Sequence, residues 1–194
     1  MASAQICSRR ATRRASAPSI LYGAGMYYET IRQMKKQLGQ IDKWLDAAAA
    51  FATEKSFEPN LFLGFRLSPD QFAFARQIQI TCDTAKLGAS RLTGKAAPAQ
   101  PDTEQTIDEL RARVKATIAY LDGFSAKDFE SAATATVTQP RWEGKTMTGA
   151  DYFLEHVLPN FYFHLTTSYA ILRHNGVAVG KRDFLGALTQ HAPS

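Results

Sequence analysis

Apolar residues recur every three or four positions along most of this chain, and that period predicts helices. From Tyr28 to Ala52 the residues Ile31, Met34, Leu38, Ile41, Leu45 and Ala48 form one stripe. Arg32, Lys35, Lys36, Asp42 and Lys43 take the wet side. The run Ala47–Ala50 adds helix propensity and lets a neighbouring helix come close. A second stripe of Phe72, Ala75, Ile78, Cys82, Ala85, Ala89 and Leu92 predicts a helix opened by Ser68-Pro69-Asp70-Gln71 and stopped at Gly94. Ser68 can cap it, Pro69 suits a first turn, and Gln71 can complete a capping box. Ile107, Leu110, Val114, Ile118 and Leu121 predict a third helix over 104–122, with Thr103 as its cap. The fourth opens at Thr148-Gly149-Ala150-Asp151, again a capping-box pattern, and runs to His174. Asn175-Gly176 closes it with a left-handed residue, and Arg173 and His174 place positive charge in its last turn.

The connections carry their own signals. Residues 53–67 hold Phe57, Leu61, Phe62, Leu63 and Phe65, too apolar to stay in water, so this loop should fold back over one end of the core. Residues 95–102 are a Pro/Ala-rich connector, and Ser125-Ala126-Lys127-Asp128 reads as the cap of one short turn. Between Thr134 and Thr148 the chain is β-branched and divided by Pro140, which predicts two short strands or an extended excursion. The tail 177–194 should lie over the bundle through Val179, Phe184 and Leu185. The fold expected is therefore all-α: a four-helix bundle with a short irregular or β-like excursion before its last helix.

Composition changes this picture little. A chain of 194 residues is one domain by its length. Of five net positive charges, four come from Arg9, Arg10, Arg13 and Arg14, within an acid-free stretch at 1–25, so the body from Met26 onward is nearly neutral. A nucleic-acid binder carries its basic patch on the folded part, so no nucleic-acid partner is expected. No apolar run approaches the roughly 18 residues that a membrane span needs, and none is expected to cross one. Cys7 lies in the basic stretch and Cys82 in a helix, so the body has no second thiol to bridge with. That favours a reducing, cytoplasmic setting. Residues 1–25 are expected to be a disordered extension preceding a bundle domain at 26–194, with Met26 as the start of the body. The alternative is an organelle transit peptide, which the Arg/Ser/Ala-rich composition also fits.

Candidate chemistry concentrates in the last helix, which holds His156, His164 and His174, three of the four histidines. His156, Asn160 and His164 follow one another at intervals of four, so they stack on one face among Phe153, Val157, Phe161 and Leu165. Pro159 should kink the helix there, or break it, beside these inward polar groups. A pocket or a water would fit beside such a kink. On the facing helix, Gln77, Thr81 and Thr84 adjoin the apolar stripe and Asp83 follows Cys82. The candidate pocket is thus Gln77, Asp83, His156, Asn160 and His164. The alternative is a core histidine, with His164 satisfied by Asp83, Gln77 or Tyr162.

The segments PNFYFH at 159–164, SYAILRHNG at 168–176 and GKRDFLG at 180–186, with RLSPDQF at 66–72, resemble the domain-of-unknown-function family nineteen ninety-three. That family is a branch of the DinB/YfiT-like four-helix-bundle superfamily. The resemblance covers Met26 to about Gly186. It implies a metal, usually nickel or zinc, held by three histidines: one from helix two and two spaced by four on the last helix. It also implies, for some members, thiol-dependent transferase or isomerase chemistry. By position these ligands fall at Gln77, Asn160 and His164, so one imidazole of three is retained. Asp83, Cys82 or His156 would have to replace the others. Two functions follow from this: a ligand-binding or structural bundle with a degraded metal site, or a metal-dependent hydrolase or thiol transferase built on His164. The resemblance also suggests a homodimer, for which Trp44, Trp142 and the Phe-rich loop could supply an apolar face. The small-molecule ligand is not specified by any motif.

Overall fold

The structure, a computed structural model, describes residues 23–192. The readings of the N-terminal stretch as an extension or transit peptide fall almost wholly on 1–22, outside the described residues. Four long helices build the fold: α1 (Ala24–Glu54), α2 (Phe74–Thr93), α3 (Ile107–Asp122) and α4 (149–174), followed by a short α5 (Lys181–Leu185). Ile31, Met34, Leu38, Ile41, Leu45 and Ala48 of α1 are all fully buried. They pack with Ile78, Cys82, Ala85 and Ala89 of α2, Leu110 and Val114 of α3, and Phe153, Val157, Phe161 and Leu165 of α4 in one core. The helices pair α1 with α3 and α2 with both α3 and α4, and the α2–α4 pairing is the most extensive.

Two helix starts differ from the sequence expectation. The Ser68–Gln71 stretch makes a turn, with the Gln71 N–H donating to the Ser68 carbonyl at 3.0 Å, and α2 begins only at Phe74. Serine, proline and aspartate in this order favour a turn as strongly as a helix cap. The Phe74 N–H donates instead to the carbonyl of Phe65, so the segment between them closes as a loop. Phe72, placed on the apolar stripe by its spacing, is consequently 56% exposed. Likewise α3 is capped by Thr106, not Thr103: Thr106 and Glu109 form a reciprocal capping box. The left-handed Gly94 ends α2, with φ at 75°.

The excursion before α4 is extended, as its β-branched composition predicts. β1 (Thr136–Val137) pairs antiparallel with β2 (Met147–Thr148), and a turn at Pro140–Trp142 lies between them. The Thr148 side chain accepts from the Asp151 N–H to start α4. Pro159 neither breaks nor sharply ends this helix. The six residues Tyr152–Val157 take the wider π register, and ordinary α geometry resumes at Leu158–His174. A π turn before a proline absorbs the missing backbone donor by re-registering the turn.

The loop at 53–67 folds over the end of the core as expected. Phe62 is fully buried, with the rings of Phe51, Phe57 and Phe65 around it at 5.2–6.5 Å. The tail docks through Val179 and through Phe184, which stacks on Trp44 at 5.9 Å. Of the residues expected in an apolar docking face, Trp44 is taken into the core, whereas Leu61 of the Phe-rich loop is 54% exposed. Trp44 is 1% exposed and donates its indole N–H to the Asp183 carbonyl, while Trp142 is half-buried against Tyr152. Among the described residues, no helix is long and apolar enough to cross a membrane.

Candidate functional site

A cleft of about 460 Å³ opens between α2, α4 and the 139–141 turn. Asp83, His156, Asn160 and His164 line it together, and Gln77 stands directly behind His164. Asn160 and His164 lie one α turn apart in the regular part of α4. His156 belongs to the π segment, and that widened turn keeps it on the same cleft.

The polar groups fix one another's orientation. The Gln77 Nε2 donates to the Phe72 carbonyl at 3.0 Å, and a carbonyl can only accept, so the Gln77 oxygen must face His164. The His164 Nδ1 lies 2.6 Å from that oxygen and is therefore the protonated ring nitrogen. Nε2 is left with the lone pair. His164 is 7% exposed, and its burial, together with the Arg76 charge, pushes its pKa down to about 4. The ring is neutral at physiological pH. Asn160 donates through Nδ2 to the Thr84 hydroxyl at 2.7 Å, and that hydroxyl donates to the Ile80 carbonyl at 2.7 Å. The Asn160 oxygen thus remains an acceptor. Gln77 is the partner that satisfies His164, one of three that the core-histidine reading allowed.

At the other end of the cleft, Arg141 donates to His156 Nε2 at 2.5 Å, which makes Nδ1 the protonated nitrogen of that ring. Burial, then the charges of Arg141 and Arg91, hold the His156 pKa below the ordinary imidazole value. Arg91 reaches the Tyr152 hydroxyl at 2.9 Å. Asp83 is engaged from behind by Lys86 at 2.9 Å and Arg113 at 3.0 Å. Arg113, whose side chain is 2% exposed, also pairs with Asp102 and Glu104, and Arg76 pairs with Asp102. Burial alone would raise the Glu104 carboxyl, but the hydrogen bonds from Arg113 and Gln79 outweigh it and hold it below the carboxylate range. This network ties α2 to α3 and the connector before it.

These residues do not fit a zinc or nickel ion at positions 77, 160 and 164. A borderline-soft divalent ion selects imidazole and thiolate donors. Only His164 offers one here, and the Gln77 oxygen is already engaged by its Nδ1–H. The substitutes fail on geometry. Cys82 is fully buried in the apolar core, where burial pushes its thiol up to about 12. Asp83 is held by two cations, and the His156 lone pair is held by Arg141. Among the described residues, no three His, Cys, Asp or Glu gather where an ion could bind.

Arg76, Arg91, Gln139 and Arg141, none of them a candidate from the sequence, also line the cleft. A signal for the first two was present: Arg76, Ile80, Asp83, Thr84, Leu87 and Arg91 repeat at helical spacing beside the apolar stripe. Gln139 and Arg141 lie on an irregular segment that has no period to read.

Residues 26–185 match the family described as Domain of unknown function (DUF1993). The chain is similar to the crystal structure of a DinB family member protein from Shewanella denitrificans, with 49% identity and a TM-score of 0.85. The match covers 88% of this chain and 97% of that one. No curated protein matches the chain.

Proposed function

The chain belongs to the DUF1993 family of DinB-like bundles, and from that premise we propose that it is a small-molecule-binding bundle that works without a transition metal at Gln77, Asn160 and His164. The hydrogen bond between Gln77 and His164 carries this reading. It turns these two side chains toward each other and gives His164 one fixed tautomer beside a cleft large enough for a small ligand. The neutral His164 serves such a ligand as a hydrogen-bond acceptor. With a pKa of about 4 the ring is a weak proton acceptor at pH 7, and it carries the proton that a general acid needs in only roughly one molecule in a thousand. The reading thus favours recognition over proton transfer.

Metal analysis of untagged protein tests it. The expected result is no stoichiometric zinc or nickel. About one equivalent per chain, abolished by His164→Ala, would replace this reading with a metal-dependent hydrolase or thiol transferase built on His164.

We propose a homodimer as well, through residues that include part of the Phe-rich loop the sequence favoured. Leu61, Leu67, Phe72 and Phe163 are among the large apolar side chains left 42–56% exposed, and a second copy would dock over them. Sedimentation of the wild type and of Phe72→Ser/Phe163→Ser tests this: a monomer in the first sample, or a dimer unchanged in the second, removes that face from consideration.

A further inference from the structure

The cleft is unbalanced in charge and in hydrogen bonding. Its one carboxylate, Asp83, is already matched by Lys86 and Arg113. Arg76 is matched by Asp102. Among the described residues, Arg91 and Arg141 pair with no carboxylate; their partners are the Tyr152 hydroxyl and the His156 ring. Both guanidinium charges act on the His156 imidazole, so they converge on one end of the cleft.

Two neutral donors of the lining residues are unpaired beneath this surface. Gln139 is 7% exposed and its Nε2 is buried without a partner. The Nδ1 of His156, the protonated nitrogen, is also buried without one. Buried donors left unpaired are costly, and natural proteins retain few of them without a reason. Two cations that lack a carboxylate line one end, so the missing partner is rich in acceptors and negatively charged. Ile80, Leu87 and Pro140 give the same cleft an apolar wall.

Resting on the small-molecule reading above, we propose that the cleft binds a small organic oxyanion, a carboxylate or phosphate on an apolar body. Arg91 and Arg141 hold the charged group. The apolar body lies along Ile80 and Leu87 toward Asn160 and His164, whose acceptor atoms Oδ1 and Nε2 select a donor at the far end.

Calorimetric titration of the full chain at low salt, with benzoate, phenyl phosphate and the neutral isostere benzamide as probes, tests the proposal. At least one of the two anions should bind about tenfold or more tightly than benzamide, and added salt should weaken it. Arg141→Gln, at an exposed position, should weaken the anion by about tenfold and leave benzamide unchanged. Arg91→Gln should do the same, its folding checked by melting temperature. Benzamide binding as well as the anions overturns the oxyanion assignment but leaves the ligand-binding reading standing. Anion binding that neither arginine variant weakens also overturns the assignment. If no probe binds up to tens of millimolar, the oxyanion and ligand-binding readings both fall.

Discussion

Gln77 on α2 and His164 on α4 meet at 2.6 Å, and the bond has only one direction, because the Phe72 carbonyl takes the other end of the Gln77 amide. Gln77 is fully buried, so replacing it with an apolar residue leaves the His164 Nδ1–H without an acceptor. Gln77→Leu should therefore lower stability by about 1–3 kcal/mol, the usual cost of an unsatisfied buried donor. Gln77→Glu is the informative contrast. A carboxylate at that position favours the imidazolium, so the His164 pKa should rise above its value of about 4. Imidazole resonances followed by NMR across pH give the answer. An unchanged His164 titration in Gln77→Glu would mean that the two side chains do not face one another.

The same histidine makes stability depend on pH. Its folded pKa of about 4 lies below the ordinary 6.5 expected of the unfolded chain. Between those values the unfolded state binds the extra proton, so stability rises with pH through this window and is lost as pH falls from 6.5 toward 4. The depression corresponds to about 3 kcal/mol in all. His156, also depressed, acts in the same direction. Urea midpoints measured from pH 4 to 7 should climb more steeply for the wild type than for His164→Gln. Parallel curves would show that His164 is protonated equally well in both states.

The long helices were legible because each needs only its own period and stop: the α1 stripe, Gly94 and Asn175-Gly176 are local statements that packing did not contradict. The start of α2 was not, because Ser68-Pro69-Asp70-Gln71 suits a turn and a helix cap alike, and the choice fell to a long-range bond from Phe74 to Phe65. Among the site residues, the line from His156 to His164 could be read from spacing. The partner of His164 was narrowed to three residues, and the depth at which α4 sits on α2 selects Gln77. The arginines at the cleft's far end depend on where the 139–141 turn lands, which no helical or strand period encodes.

Gly88 and Val157 record how closely α2 and the π turn of α4 approach. A Cβ on Gly88 would fall 2.9 Å from Val157 Cγ1, and a β-branched side chain has little freedom to move aside. Gly88→Ala gains about 1 kcal/mol of helix propensity but meets an overpacking cost of about 1–3 kcal/mol. The net expectation is destabilisation. With Val157→Ala already in place the clash is gone, and the same Gly88→Ala change should become neutral or stabilising. A double-mutant cycle by urea denaturation measures this sign change. Additive effects would mean that the two helices separate without cost at that point.

Gln77 holds the His164 ring by Nδ1 and leaves Nε2 as the lone pair, the arrangement in which an outer partner orients a metal-binding imidazole. What the site lacks is a second nitrogen. Asn160 lies one regular α turn before His164 and on the same cleft, so Asn160→His supplies an imidazole at the spacing that places both on one helix face. That variant should bind zinc or nickel near one equivalent and melt at a higher temperature with the metal present, because an ion that binds only the folded state stabilises it. Asn160→Ala controls for the lost bond to the Thr84 hydroxyl and should gain neither property. If the wild type takes up the ion as tightly as Asn160→His does, an amide at position 160 is no barrier to the metal.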